Sequence, residues 1–168
     1  DRFLKRFESG ADLLLTDDYE GYAVKYNRAV WHFHRREFED CRDLLNDIWW
    51  KYKFPENYYD LDLRSYLIRT LVELRAYEDD VLLSLKDSFR KFVSEKSGNT
   101  SISEHHKGNH RPFANRTNSF LNYMSAPISD AKRLTKLKRL KEQVEEQVGA
   151  LNLKWLLGKV EDEISRIS

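Results

Sequence analysis

The chain of 168 residues holds one cysteine, Cys41, so it can form neither an internal disulfide nor a cysteine-rich metal site, a usage that fits a reducing compartment. No stretch approaches about 18 uninterrupted apolar residues, which excludes a transmembrane helix. Neither sign of charge dominates. Lys plus Arg number 29 and Asp plus Glu 28, so any affinity for nucleic acid or an anionic membrane must be local. HExxH, GxSxG, a glycine-rich phosphate loop and a Walker string are all missing, so catalytic residues, cofactors and metals are expected to be none. The first residue is Asp1 rather than Met; an excised fragment is expected, and the lack of a leader carries little weight.

Glycine and proline are scarce up to Val93, where only Gly10, Gly21 and Pro55 occur, so that stretch is expected to be mostly helix. Its apolar residues recur at three and four: Tyr22, Tyr26, Ala29, Val30 and Phe33, then Phe38, Cys41, Leu44, Leu45 and Ile48, then Leu63 to Leu74, then Tyr77 to Phe89. With Asp17 and Asn57 as caps, Glu20 closing the box of the former, five helices are predicted before Val93. Short connections make consecutive helices antiparallel neighbours. Residues 94–129, rich in Ser, Asn, His, Gly and Lys, read as a flexible polar linker that buries too little surface to offset its ordering entropy. Periodicity returns at Leu134, Leu137, Leu140 and Val144, and again at Leu153, Leu156, Val160 and Ile164, predicting a further hairpin over 130–168 packed on the same array.

The string Tyr26 to Leu45 has a small residue, Ala29, on a first helix, an aromatic, Phe38, opening a second, and another small residue, Cys41, one turn later. It resembles a tetratricopeptide repeat, with Asn27, Arg28 and Ala29 standing as the family's first-helix motif. Arg36 and Glu37 stand where the family has a turn glycine. A second copy is expected from Tyr66, with Tyr77 in the place of Phe38, and a degenerate third over Leu134 to Ile164. The fold implied is all-α, antiparallel helical hairpins stacked as a short tetratricopeptide-like solenoid over residues 1–93 and 130–168. With the insertion around 97–118 and the Lys- and Leu-rich hairpin 136–160, the order is similar to the tetratricopeptide subunits, number ten, of the NOT-type messenger RNA deadenylase complex. That resemblance implies a non-catalytic scaffold with other protein subunits as partners, in the cytoplasm and secondarily the nucleus.

Several residues are candidates for chemistry or binding. His105, His106 and His110, with Glu104, have ligand-type side chains, but in a linker they are expected to be solvated. Arg28 followed by His32 and His34 loosely matches the Arg-x4-6-His spacing of helical toxin and defence ribonucleases, the enzymatic alternative. Lys132, Arg133, Lys136, Lys138, Arg139 and Lys141 form a run without an acid, a cationic helix face that is either merely solvated or a weak RNA contact. The sequons at Asn99 and Asn115 read as chance. Of the tryptophans Trp31, Trp49, Trp50 and Trp155, the adjacent Trp49 and Trp50 point about 100° apart on a helix. One of them is therefore expected to be covered by a partner or by the linker, with Tyr58 and Tyr59 enlarging the patch.

Overall fold

A computed structural model describes residues 17–51, 57–95 and 103–168, with the side chains of 21–51, 60–95 and 103–168; these residues hold seven α-helices and no strand. In chain order they are α1 (Asp17–His34), α2 (Phe38–Lys51), α3 (Asn57–Glu73), α4 (Asp80–Ser94), α5 (Glu104–Ser125), α6 (Asp130–Glu145) and α7 (Leu153–Ile167). The fold is all-α and built of antiparallel hairpins of consecutive helices. The helix expected before Asp17 lies outside the described residues. Two compact units divide the chain, Asp1–Ala76 and Tyr77–Ser168.

In the first unit α1 and α2 form a hairpin on which α3 packs. Ala29 and Cys41, the two small residues of the repeat-like string, are fully buried, together with Leu45 and Ile48, and Phe33 beside them is buried nearly as completely. A methyl and a thiol there leave room for two backbones to approach, which a longer side chain would prevent. The Cys41 Sγ lies 3.3 Å from the Thr70 Oγ1 on α3, and Thr70 donates to the Tyr66 carbonyl at 2.8 Å. Burial pushes the Cys41 thiol pKa up, so it stays protonated. Helix α1 ends where Glu37 N–H bonds the His32 carbonyl and Arg36 N–H bonds the Phe33 carbonyl, with Arg36 at φ 63°. That left-handed geometry is what a glycine at this turn supplies at no steric cost, and here an arginine carries it. Arg75, at φ 56°, ends α3 in the same way.

In the second unit α4 pairs with α5 and α6 with α7, and α5 also packs on α6 and α7. Asp79 caps α4, accepting from the Val81 N–H at 2.7 Å and the Leu82 N–H at 3.3 Å. Between α4 and α5 the buried side chains are Leu82, Leu85, Phe89 and Val93 of α4 and Phe113, Ala114, Phe120 and Leu121 of α5, with Phe89 and Phe113 edge-on at 6.3 Å, while α6 buries Leu137, Leu140 and Val144 and α7 buries Leu153, Leu156 and Val160.

Residues 94–129 are not a flexible linker throughout. Residues 104–125 form the longest helix among the described residues, started by the Ser103 hydroxyl, which accepts from the His106 N–H. Four apolar residues anchor the helix, and the polar ones beside them find partners inside the unit. Lys107, fully buried, donates to the Glu95 carbonyl at 2.8 Å, and Arg111 reaches the Val93 carbonyl with Nε at 3.1 Å and Nη2 at 3.0 Å. Both cations sit at the C-terminus of α4, where orphan carbonyls and the helix dipole favour positive charge. Lys86 of α4 is buried and donates to the Asn122 Oδ1 at 2.7 Å and the Asn118 Oδ1 at 3.4 Å.

The expected boundaries move accordingly. The division falls between Ala76 and Tyr77, inside the stretch read as a second repeat, so its two helices, α3 and α4, belong to different units. Tyr77 bonds within the second unit, its hydroxyl donating to the Glu163 Oε1 at 3.0 Å and its ring edge-on to Phe120 at 5.9 Å. Glu163, only 2% exposed, also accepts from the Arg166 Nε at 2.8 Å.

Candidate functional site

The exposed face of α2 starts from helical spacing: Glu39, Asp43, Asn46, Asp47 and Trp50 recur at three and four and fall on one side. Trp50 is 79% exposed, the largest exposed apolar side chain among the described residues. Trp49, next to it, is half-buried, with the Arg64 guanidinium 4.7 Å above its ring. Arg64 is itself held by Asp60 at 3.0 Å. Burial raises the Asp60 pKa, against the lowering effect of Arg64. The charges flanking Trp50 cancel locally, because Arg42 pairs with Glu39 and Asp43, and Asp47 pairs with Lys25 and Lys51. Lys25 and Lys51 hold the Asp47 carboxyl below its usual range. The indole is therefore the distinctive group on this face. Tyr58 and Tyr59 begin α3, and their side chains lie outside the described ones. Trp31 is half-buried under the Arg35 guanidinium at 4.5 Å, and Trp155, also half-buried, sits edge-on to Phe113 at 6.2 Å.

The α1/α2 turn gathers His32, Glu37 and Asp40. The His32 Nδ1 is 2.8 Å from the Glu37 Oε2 and 3.9 Å from the Asp40 Oδ2, and the Arg35 Nε bonds the Glu37 Oε1 at 2.7 Å. Arg35, then His32, holds the Glu37 carboxyl below its usual range. One donor atom from each of His32, Glu37 and Asp40 lies within 4.8 Å of the others, the only such trio among the described residues. The Arg35 guanidinium already supplies positive charge there, so the trio works as an ion-pair clamp on the turn. Arg28 and His34 are both exposed, and six residues of helix set them about 120° apart around α1. Only Arg28 and His32, four residues apart, share a face.

The histidines read as linker side chains diverge along α5. His105 is exposed, the His106 Nδ1 lies 3.0 Å from the Ser103 hydroxyl, and His110 is buried with its ring edge-on to Phe89 at 6.2 Å. Burial first, and the His106 charge second, push the His110 pKa down to about 4. It is a neutral core side chain, not a solvated one. The sequon at Asn115 lies inside α5 with the Thr117 side chain buried, and the sequon at Asn99 lies outside the described residues.

The basic run divides by role. Arg133 donates to the Tyr123 and Ala126 carbonyls at 3.1 and 3.0 Å and to Asp130 at 2.7 Å, and Lys141 pairs with Glu161 at 2.8 Å, which raises its pKa. These two hold the fold. Lys132, Lys136, Lys138 and Arg139 are exposed, and Lys136 lies 5.1 Å from the Tyr123 ring centre.

No family model, no curated protein and no solved structure matches the chain. No helix among the described residues is long and apolar enough to cross a membrane.

Proposed function

We propose that the chain is a non-catalytic protein–protein interaction scaffold, anchored by Trp50 on the exposed face of α2. The observation that carries this reading is the 79% exposure of an indole whose neighbour, Trp49, is packed under Arg64. Tryptophan is the side chain most enriched at interface hot spots, where truncation typically costs about 2 kcal/mol or more of binding. Because Trp50 contributes little to its own unit, Trp50→Ala leaves folding stability within about 0.5 kcal/mol while weakening partner capture. The assembly is the NOT-type deadenylase complex, by the resemblance of Tyr26 to Cys41 to a tetratricopeptide repeat. What supports the repeat is the complete burial of Ala29 and Cys41 in one helical hairpin. What weighs against it is the separation of α3 and α4 into different units. Affinity purification from native extract tests both levels. Deadenylase subunits are expected with the wild-type chain and not with Trp50→Ala. Their absence from the wild-type sample overturns the assembly, and equal recovery by the variant overturns the anchor.

One observation favours a ribonuclease as the second reading. Glu37 orients His32 through Nδ1, leaving the other ring nitrogen for proton transfer, and Arg28 lies one turn away on the same face. RNA cleavage by the wild-type chain, lost in both Arg28→Ala and His32→Ala, would establish it. A wild-type chain without cleavage removes it.

A further inference from the structure

We propose that the exposed stripe of α6 and the adjoining Tyr123 of α5 bind the phosphate backbone of single-stranded nucleic acid. Among the described residues, Arg42 is matched by Glu39, Arg64 by Asp60, Lys159 by Asp162 and Arg166 by Glu163, while the exposed Arg36, Arg90, Lys91 and Lys154, which have no carboxylate partner there, do not line up three to a helix. No ion pair among the described residues engages Lys132, Lys136 or Arg139, which are exposed and recur at four and three residues along one side of α6. Helical rise sets the first two about 6 Å apart along the axis and all three within about 11 Å, a line of charge suited to successive phosphates. Glu142 and Glu146, both exposed, close the C-terminal end of the stripe and bound the site at these three cations.

The stripe is held rigidly. Arg133 bonds the Tyr123 and Ala126 carbonyls at one end of the α5/α6 contact, and the Arg116 Nη1 bonds the Gln143 Oε1 at 2.9 Å nearer the other. These bonds fix the helix and so the spacing of the three positions along it, while the lysine and arginine side chains are ordered only on binding. Tyr123, half-buried against α6 with Lys136 at 5.1 Å, supplies a ring on which an unpaired base stacks. That aromatic favours a single strand, whose bases are free to leave the backbone, over a duplex, and it favours nucleic acid over an acidic peptide.

Fluorescence anisotropy of a labelled oligouridine 12-mer, with the full chain titrated in, tests the proposal. With three phosphates neutralised, log K falls with log salt at a slope of about −2, so binding weakens about 20-fold between 50 and 200 mM salt. Lys132→Glu, Lys136→Glu and Arg139→Glu together abolish binding with the far-UV circular dichroism unchanged. Tyr123→Ala weakens binding about 5-fold or more, and Tyr123→Phe, which keeps the ring, restores it. Oligothymidine of the same length binds comparably, because the contacts are to phosphate and to a base face. Absent binding at 50 mM salt, or wild-type binding by the triple variant, overturns the proposal. So does equal affinity for polyglutamate, which reassigns the stripe to an acidic protein, or for a duplex. Unchanged binding by Tyr123→Ala overturns the stacking that selects a single strand.

Discussion

Replacing Phe113 with Ala empties the point where α4, α5 and α7 meet. The ring has no exposed surface, and it lies edge-on to Phe89 of α4 at 6.3 Å and to Trp155 of α7 at 6.2 Å. Truncating a buried phenylalanine costs about 3–5 kcal/mol, as lost transfer energy plus the cavity left behind. Two edge-to-face pairs at these separations, worth about 0.5–1.5 kcal/mol each, place the loss toward the upper end of that range. Small domains have about 5–15 kcal/mol in total, so the variant is close to unfolding at room temperature. At about 4–8 °C per kcal/mol, a loss of 3 kcal/mol already lowers the melting point by about 12–24 °C. Urea titration of the full chain, followed by circular dichroism at 222 nm and by tryptophan emission, reads the effect. Asn115→Ala, at an exposed position of the same helix, is the control and stays within about 0.5 kcal/mol. A Phe113→Ala loss below about 1 kcal/mol would mean that residues 104–125 form no part of a packed core, and the linker reading would return.

Ala29→Leu overfills the α1/α2 crossing and lowers the stability of the first unit by about 1–3 kcal/mol, measured as a drop in urea midpoint at constant slope. Arg36→Gly relieves the left-handed strain at the turn, worth about 1–2 kcal/mol, against the extra entropy of glycine in the unfolded chain; a net rise of up to about 1 kcal/mol in stability is expected from the same titration. His110 produces an acid limb. The unfolded chain takes up its proton near pH 6.5 and the folded chain only near 4, so stability is full above about 6.5, falls as pH drops between the two values, and levels off below. His110→Leu flattens that limb in urea midpoints measured from pH 7 to 4; a limb unchanged by the substitution would mean that the ring is protonated in the fold.

The helices of the first unit were legible because their buried positions are apolar at regular spacing: Ala29 and Phe33, then Cys41, Leu45 and Ile48, then Leu63, Leu67 and Leu71. The α5 helix has the same spacing, with Lys107, His110, Phe113, Ala114, Thr117, Phe120 and Leu121 all buried, but nearly half of those positions are polar. A reading that counts apolar residues passes over them, and Pro112 inside the helix and Gly108 one turn earlier deepen the disguise. The signal that was available is the seven-residue recurrence of the apolar pairs Phe113–Ala114 and Phe120–Leu121, two turns apart, and the cap at Ser103. Exposure of one of two adjacent tryptophans follows from their 100° separation, but which one is covered depends on Arg64, fifteen residues beyond Trp49 in another helix. Likewise, the six basic side chains within residues 132–141 look alike until tertiary partners separate Arg133 and Lys141, which bind the fold, from Lys132, Lys136, Lys138 and Arg139.

That sorting of polar groups links the stability of the second unit to its surface. Lys107 and Arg111 are committed to the carbonyls at the end of α4, Lys86 to Asn118 and Asn122, Arg116 to Gln143, and Arg133 to the α5/α6 junction. Each of these hydrogen bonds to a charged group contributes about 1.5–3 kcal/mol net where it is desolvated, and leaving a buried cation unmatched would cost more. An internal cation is therefore tolerated only where a carbonyl or amide oxygen meets it. The cations of α6 that face water meet no such demand from the fold. Charge reversal at Lys132, Lys136 and Arg139 is cheap for stability for this reason, whereas reversal at Arg133 places a carboxylate against the Tyr123 and Ala126 carbonyls and loosens α6 from α5. An assay that finds binding and folding lost together in the stripe variant, at the level seen for Arg133→Glu, would contradict the separation of the two sets.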